Sequence, residues 1–201
     1  MKEILFGTTN LAKIKQLQGV LRPIGVAVRG IPVGTSLPMI IEDGKTANEN
    51  AKKKAIAYVK MFGEVVLSMD NALYFDGLDP EKQPGICVRR IGNGDEHPSD
   101  EALLEYYTAL VQRLGGRIKG RWEFGICIAT PEGKTKETLI LSSRIFTDRT
   151  SSHIIPDYPL ESIQIDPESG KYISEMTQKE QDEFWQHTIG TPLREFMKSI
   201  G

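Results

Sequence analysis

Cysteine and long apolar runs are scarce in this sequence of 201 residues, and each scarcity excludes a class of protein. The only two cysteines, Cys87 and Cys127, have no metal-ligand or redox spacing, so we expect both to be reduced residues that serve packing. No segment approaches the length of a membrane span, and the N-terminal run Ile4-Leu5-Phe6 is far shorter than the core of a signal peptide. The sequence therefore predicts a cytoplasmic protein without a membrane partner.

The sequence also lacks an excess of charge of one sign, since it contains 25 Lys and Arg and 27 Asp and Glu. Nucleic-acid binding usually needs a basic field, so we expect no nucleic-acid partner, and a polyphosphate ligand would have to be bound by local groups. A content of 39% hydrophobic and 26% charged residues is that of an ordinary globular protein. We expect a single domain over residues 1–201, with two lobes.

The apolar residues that are present recur with the periods of strands and helices. They predict strands at 4–6, 26–28, 65–68 and 73–75, a hairpin at 122–128 and 138–146, and helices that begin near Asn10, Thr46, Ser99, Thr177 and Thr191. Residues 147–171 are rich in Asp, Ser and Pro and are predicted to form a loop region. Early strand-helix units followed by a hairpin imply an α/β fold with a mixed β-sheet flanked by helices.

A polar turn, Gly7-Thr8-Thr9-Asn10-Leu11-Ala12-Lys13, connects the first predicted strand to the first helix. The start of a helix offers unpaired N–H groups and a favourable dipole to an anion, and Lys13 adds a positive charge. The candidate phosphate-binding residues are therefore Thr8, Thr9, Asn10 and Lys13. The alternative is that Asn10 only caps the helix while Lys13 is solvated, because N-caps are common.

Two carboxylates follow at positions that also have structural explanations. Glu49 stands three residues after Thr46, which is the spacing of a capping box, but it is also a candidate ligand for Mg²⁺. Asp70 comes directly after the buried strand predicted at 65–68, where a carboxylate is costly unless it meets a cation or donors. Ligands of α/β proteins bind beyond such strand ends. The alternative for Asp70 and its neighbour Asn71 is a tight turn.

Cations for a phosphate ligand are present in two further segments. We expect Lys54 to point across a cleft, whereas the other members of the run Lys52-Lys53-Lys54 belong to a solvated face. Arg89 and Arg90 form a candidate phosphate clamp. The alternative for these arginines is an exposed ion pair that contributes little to stability.

Several of these segments stand in the order of one family's motifs. Residues 8–13 read Thr-x-Asn-x-x-Lys, residues 49–55 read Glu-Asn-Ala-x-x-Lys-Ala, and residues 68–73 read Ser-Met-Asp-Asn-Ala-Leu. Together with Gln83-Pro84-Gly85-Ile86 and the arginines after it, they resemble the motifs of the inosine triphosphate pyrophosphatase family. These house-cleaning enzymes hydrolyse non-standard purine nucleoside triphosphates to the monophosphate and pyrophosphate.

The resemblance implies an elongated mixed β-sheet flanked by helices, two lobes around a central cleft, and a homodimer. It implies that Glu49 and Asp70 bind Mg²⁺ and that Asp70 is the base for the attacking water. Positioning and charge stabilisation then do most of the catalysis. The residues that would contact the nucleoside triphosphate substrate are Thr8, Thr9, Asn10, Lys13, Lys54, Asn71 and Arg90.

Other positions depart from the family pattern. Met69 stands where the family's Asp-Asp-Ser-Gly-Leu motif has its first aspartate, and Ala72 stands for its glycine. Gln181 stands where the family has a lysine before the last helix. One nearby charge and some backbone freedom are therefore missing beside Asp70.

The residues that would read the base are also changed. The family's aromatic-Gly-aromatic-Asp loop aligns with Tyr158-Pro159-Leu160-Glu161, which makes Tyr158 and Glu161 candidate substrate-binding residues. The base-reading Ser-His-Arg motif falls near His187-Thr188-Ile189, which makes His187 another. Because a site that selects by hydrogen bonds loses selection when its donors are replaced, we expect altered or relaxed base specificity.

The sequence therefore predicts a divergent, Mg²⁺-dependent nucleoside triphosphate pyrophosphatase. The alternative is a catalytically silent protein of the same fold that binds a nucleotide or a partner protein, which the changes at Met69 and Gln181 favour. An unrelated α/β interaction domain is a third interpretation, which three ordered motifs disfavour.

Overall fold

The computed structural model describes residues 2–91 and 98–199. The strands in these ranges are β1 (Lys2–Phe6), β2 (Val26–Gly30), β3 (Val66–Phe75), β4 (Arg117–Ala129), β5 (Thr135–Thr147) and β6 (Gln164–Ile165). The α-helices are α1 (Leu11–Leu21), α2 (Ala47–Phe62), α3 (Asp100–Arg113), α4 (Gln178–Trp185) and α5 (Thr191–Lys198). A π-helix, Gln186–Gly190, joins α4 to α5.

The six strands form one mixed sheet in the order β2-β1-β3-β4-β5-β6. Strand β1 is parallel to both β2 and β3, with Phe6 opposite Leu67, whereas β5 and β6 are antiparallel. Strands β4 and β5 are neighbours joined by a turn at residues 130–134, as the predicted hairpin requires. The prediction of an α/β fold with a mixed sheet and helices is confirmed.

The chain divides into two compact units. Among the described residues, the first unit contains 2–71, 123–140 and 182–199, and the second contains 72–91, 98–122 and 141–181. The first has apolar clusters built from Leu5, Ile31, Tyr58 and Val66 and from Ala51, Ala55, Cys127 and Ala129. The core of the second includes Leu73, Phe75, Leu103, Tyr107, Phe146 and Ile163. Both cysteines are free thiols, as expected.

Three helices begin at the polar residues that the sequence indicated. In each, a side-chain oxygen of the N-cap accepts a hydrogen bond from the backbone N–H three residues later, which satisfies one of the donors left open at a helix start. The pairs are Asn10 with Lys13, Thr46 with Glu49 and Ser99 with Ala102. Helix α2 ends at Gly63, whose φ of 68° is the left-handed conformation that favours glycine.

The start of α2 lies directly against strand β4. A Cβ atom at Gly125 would be 2.3 Å from the carbonyl carbon of Ala47 and 2.4 Å from the N of Asn48, so only glycine permits this approach. The contact fixes the first turn of α2 on the sheet. Among the described residues, no helix has the length and apolar character needed to cross a bilayer.

The structure differs from the predicted elements in two places. Residues 66–68 and 73–75 belong to one continuous strand, β3, so Asp70 lies within a strand and not at its end. The pairing of β3 with β1 reaches only Leu67, which leaves the β1 side of the strand beyond that residue without this neighbour. The predicted loop at 147–171 contains a 3₁₀-helix, Pro159–Ile163, and strand β6.

Candidate active site

The turn after β1 places a helix N-terminus at the end of a buried parallel strand. The N–H of Gly7 donates to the carbonyl of Leu67 at 2.8 Å, which ties the turn to β3. Thr8 Oγ1 accepts from the N–H of Asn10 at 3.2 Å, and Asn10 Oδ1 accepts from the N–H of Lys13 at 3.0 Å. Capping of α1 by Asn10, the structural alternative, is therefore present. It does not compete with anion binding, since other N–H groups of the first turn remain available.

Thr9 and Lys13 are placed differently in this turn. Thr9 is exposed, whereas Lys13 is partly buried in the first turn of α1. The turn follows β1, and Asp70 lies within the adjacent parallel strand β3, three residues beyond Leu67, where the pairing with β1 ends. Binding of a triphosphate by Thr8, Thr9, Asn10 and Lys13 stays a prediction.

Lys54 on α2 forms a three-membered ion cluster with Asp70 on β3 and with Glu42. Lys54 Nζ lies 2.7 Å from Asp70 Oδ1 and 3.1 Å from Glu42 Oε2. The side chains of Lys54 and Asp70 are only 16% and 14% exposed, so this charge is largely removed from solvent. Sequence reasoning missed Glu42, because it lies in the irregular segment between β2 and α2, where neither periodicity nor a capping pattern marks it.

The pKa of Lys54 is raised above its ordinary value. Burial lowers this pKa, but the charges and hydrogen bonds of Asp70 and Glu42 together outweigh burial. Lys54 thus stays protonated and holds two carboxylate oxygens around one positive charge. Two carboxylates that share a cation are a donor set that suits Mg²⁺ together with phosphate oxygens.

Glu49 makes two hydrogen bonds at the start of α2. Its Oε2 accepts a hydrogen bond of 2.7 Å from the backbone N–H of Lys45, and its own N–H donates to Thr46 Oγ1 at 3.2 Å. This differs in one bond from the capping box that the spacing from Thr46 indicated, because Glu49 accepts from the N–H of Lys45, the residue before the N-cap, and not from that of Thr46. The carboxylate that shares a cation with Asp70 is that of Glu42, whereas the role of Glu49 as a metal ligand stays a prediction.

Two buried oxygens on β3 flank Asp70 along the chain. Ser68 Oγ and Asn71 Oδ1 make no hydrogen bond to any described residue. Ser68 lies under the turn after β1, because a Cβ atom at Gly7 would be 2.5 Å from Ser68 Oγ. A buried acceptor without a donor is costly and often marks a place for a water or a ligand. Asn71 therefore suits a bound water, hydroxyl or cation beside Asp70.

Three predicted substrate-binding residues belong to the second unit, and their contacts with substrate stay predictions. Tyr158 and Glu161 lie at the start of the 3₁₀-helix Pro159–Ile163. Burial raises the pKa of Glu161 to about 7, although the positive charge of Arg144 opposes this shift. Arg90 is exposed.

The remaining candidates are Arg89 and His187. Arg89 contacts Asp100 at 2.6 Å, as the ion-pair alternative predicted. His187 is an exposed residue of the π-helix Gln186–Gly190 in the first unit. Such π-helical turns often occur at functional sites, but the role of His187 stays a prediction.

The described residues contain no metal site formed by protein side chains alone. No group of three or more His, Cys, Asp or Glu side chains within them is placed to hold a metal ion. The ion cluster of Lys54, Asp70 and Glu42 offers only two carboxylates. It can therefore bind a divalent cation well only if a further ligand, such as a polyphosphate, supplies oxygens.

Comparison with known proteins agrees with these observations. Residues 4–187 match the model of the Ham1 family. A dITP/XTP pyrophosphatase of Exiguobacterium sp. is 33% identical over 135 residues, which are 66% of this chain and 65% of that protein. A dITP/XTP pyrophosphatase of Halalkalibacterium halodurans is 30% identical over 136 residues, which are 67% of this chain and 68% of that protein. The alignment thus spans slightly less than two thirds of the Exiguobacterium relative.

Solved structures confirm the fold. The Ham1 protein of Staphylococcus aureus superposes with a TM-score of 0.75 at 23% identity, over 100% of both chains. A HAM1 protein of Coxiella burnetii superposes with a TM-score of 0.78 at 18% identity, over 99% of this chain and 100% of the other. The chain therefore belongs to the Ham1 family, which confirms the resemblance to inosine triphosphate pyrophosphatases that its motifs indicated.

Proposed function

We propose that this chain hydrolyses nucleoside triphosphates to the monophosphate and pyrophosphate. The observation that carries this proposal is the convergence of Asp70 and Glu42 on one cation, Lys54 Nζ, at 2.7 and 3.1 Å. Membership of the Ham1 family and the name dITP/XTP pyrophosphatase of its curated relatives support the same reaction class.

The triphosphate would bind between the turn after β1 and the ion cluster. The first turn of α1 provides backbone N–H groups and a favourable dipole, and Lys13 adds a positive charge. Lys54 provides a second positive charge on the β3 side. These cations offset part of the negative charge of three phosphates, which the nearly neutral sequence as a whole would not.

Asp70 and Glu42 are the residues that would hold a Mg²⁺ ion with this substrate. They fit such an ion because their carboxylates already share a cation, and because the buried Asn71 Oδ1 has no donor among the described residues. Mg²⁺ usually takes one or two protein carboxylates and completes its shell with waters and phosphate oxygens. When bound, it would neutralise charge on the phosphates.

The chain's own groups would then act on a water molecule and the α-phosphate. Asp70 takes a proton from the water, whose oxygen forms a bond to the α-phosphorus. The bond from the α-phosphorus to the bridging oxygen breaks, and that oxygen leaves with pyrophosphate and the electron pair. Lys54 can donate to phosphate oxygens and stabilise the charge that develops on them.

Base preference is proposed to be altered or relaxed. The substitutions at Met69, Gln181 and His187 with its neighbours change the positions at which the family reads its substrate. A site without those donors leaves fewer groups unpaired when another base enters. The homodimer and the cytoplasmic location expected from the sequence remain predictions.

A second candidate function is nucleotide binding without turnover. It is favoured by the direct pairing of Lys54 with Asp70, which offsets the charge of the proposed base. Pyrophosphate release by the purified protein with Mg²⁺ and inosine, xanthosine or ordinary nucleoside triphosphates distinguishes the two. Turnover supports the pyrophosphatase, whereas binding by calorimetry without turnover supports the silent protein.

A further inference from the structure

Glu42 reaches the ion cluster from a segment without regular secondary structure. The residues between β2 and α2, 31–46, contain no helix or strand, and Val33, Met39 and Ile41 within them are largely exposed. Such a segment does not hold a side chain in place by itself. Some other contact must therefore fix Glu42 beside Asp70.

Residues 42–46, here called the strap, supply that contact by running back along the start of α2. Each residue of the strap contacts a residue of α2. Residues earlier in the strap contact residues later in the helix. Glu42 contacts Lys54, Asp43 contacts Lys53, the N–H of Gly44 donates to Asn50, the N–H of Lys45 donates to Glu49, and Thr46 caps the helix. The strap is thus bound to the helix along its whole length.

Asn50 makes the buried bond of the strap. Its side chain is only 1% exposed, and its Oδ1 accepts from the N–H of Gly44 at 2.8 Å. A Cβ atom at Gly44 would lie 2.5 Å from Asn50 Oδ1 and 2.8 Å from Glu49 Cβ, so the approach requires glycine. The backbone of the strap is therefore held two residues from Glu42 by a bond that water does not reach.

Glu49 makes the next bond, one residue further along the strap. Its Oε2 accepts from the N–H of Lys45 at 2.7 Å, and its own N–H donates to Thr46 Oγ1. The remaining oxygen, Oε1, makes no hydrogen bond to the described residues. Glu49 therefore acts as a hydrogen-bond acceptor for the strap. This role requires an oxygen but not a full negative charge.

We infer that Glu49 and Asn50 are positioning residues, which hold the strap so that Glu42 stays beside Asp70 and the two carboxylates can share one divalent cation. The inference rests on the proposed function for the roles of Glu42 and Asp70. In this inference, Glu49 and Asn50 position Glu42 as a ligand of the cation and do not bind the cation themselves. Without the strap bonds, Glu42 is more mobile before the cation binds. Binding then costs more conformational entropy and is weaker.

The test compares two substitutions at Glu49 that differ in whether they keep a hydrogen-bond acceptor. Glu49→Gln keeps an acceptor oxygen for the N–H of Lys45, whereas Glu49→Ala removes it. Glu137→Gln is the matched control, because Glu137 pairs with Lys52 on an exposed face of the same helix at 2.7 Å. Asn50→Ala probes the buried bond, and thermal unfolding of each variant checks that it is folded.

Two readouts are measured, and neither requires turnover. The first is Mg²⁺ affinity by calorimetry, in the presence of an α,β-methylene analogue of inosine triphosphate. The second is hydrogen exchange of the Gly44 and Lys45 amides by NMR. We expect Glu49→Ala to weaken Mg²⁺ binding about fivefold, the size of one lost hydrogen bond, and to speed exchange at Lys45. Glu49→Gln and Glu137→Gln should stay within about twofold of the wild type in affinity.

A loss in Glu49→Gln that equals the loss in Glu49→Ala would overturn the inference, because Glu49 would then act through its charge as a ligand. Unchanged affinity and exchange in both Glu49→Ala and Asn50→Ala would overturn it as well. If the wild type binds Mg²⁺ with the analogue but releases no pyrophosphate from triphosphates, the proposed function fails while the inference stands. If the wild type binds no Mg²⁺ under these conditions, both fail.

Discussion

Lys54 Nζ and Asp70 Oδ1 lie 2.7 Å apart, so a lysine of helix α2 neutralises the aspartate of β3 that the motifs of the chain single out. The same ammonium lies 3.1 Å from Glu42. Under the proposed function, a divalent cation that binds these carboxylates would compete with Lys54 for them.

The first prediction concerns the stability that this cluster contributes. Lys54→Met should lower the free energy of unfolding by about 2 kcal/mol, because it leaves two carboxylates without their cation in a largely buried place. The measurement is denaturant unfolding at pH 8. In a double-mutant cycle with Asp70→Asn, the two losses should be less than additive. Strict additivity would show that the pair does not interact in solution.

The pH dependence of the same contribution has a definite sign. Because Asp70 and Glu42 outweigh burial and raise the pKa of Lys54, the folded protein holds this proton more tightly than the unfolded chain. The stabilisation is therefore fully present below the ordinary lysine pKa of about 10.4 and is lost as pH rises through the higher folded value. The stability difference between the wild type and Lys54→Met should be constant up to about pH 10 and shrink above it. A difference that grows over this range would contradict the assignment.

A second prediction separates Asp70 from Glu42. Asp70→Asn should lower kcat by at least about a hundredfold, since it removes both the base and a ligand, while the fold is retained. Glu42→Gln should act mainly on the Mg²⁺ concentration needed for half-maximal rate, because it keeps the base. Steady-state pyrophosphate release over a range of Mg²⁺ concentrations measures both effects. Equal kcat values for Asp70→Asn and the wild type would exclude Asp70 as the base.

Asn10 allows capping and phosphate binding to be measured separately. Asn10→Ala removes the oxygen that accepts from Lys13 N–H, and should lower the free energy of unfolding by about 1 kcal/mol. Asn10→Asp keeps that oxygen and favours the helix dipole, so stability should be retained. Its negative charge should nevertheless raise the KM for a triphosphate more than Asn10→Ala does. Equal KM values for Asn10→Asp and the wild type would leave Asn10 with a capping role only.

Glu161 should make stability depend on pH near neutrality. Burial raises its pKa to about 7, so the folded protein binds this proton more tightly than the unfolded chain, whose value is near 4.3. The folded state therefore loses stability as pH rises from about 4.5 to 7, and the cost is constant above that range. Glu161→Gln resembles the protonated form and should be more stable than the wild type by about 3 kcal/mol at pH 8. The two proteins should be equally stable near pH 4.5, and an equal difference at both pH values would contradict the shift.

Much of the fold follows from local patterns in the sequence. Helices α1, α2 and α3 begin at their predicted N-caps, Asn10, Thr46 and Ser99, because a cap needs only residues adjacent in the chain. Strand β6 was missed, since its two residues are held only by pairing with β5 and carry no periodic pattern. The division of β3 into two pieces was wrong for a related reason. The polar residues at 70–71 interrupt the apolar run, but the strand continues through them beside its neighbour β4.

The candidate site was predictable only in part. Motif spacing identified Asp70 and Lys54, which do meet. It could not identify Glu42, since the strap reaches the cluster through contacts with α2 that are set by tertiary packing. The resemblance placed Glu49 at the metal, which stays a prediction, and Glu49 Oε2 accepts from the N–H of Lys45.

The most direct test of the account is pyrophosphate release by the purified wild-type protein in the presence of Mg²⁺. The panel should contain inosine, xanthosine, deoxyinosine and the ordinary nucleoside triphosphates, with Asp70→Asn as the control. We expect pyrophosphate and the monophosphate in equal amounts from at least one of these substrates, and none above background from Asp70→Asn. No release from any substrate, or the same release from Asp70→Asn, would contradict the account.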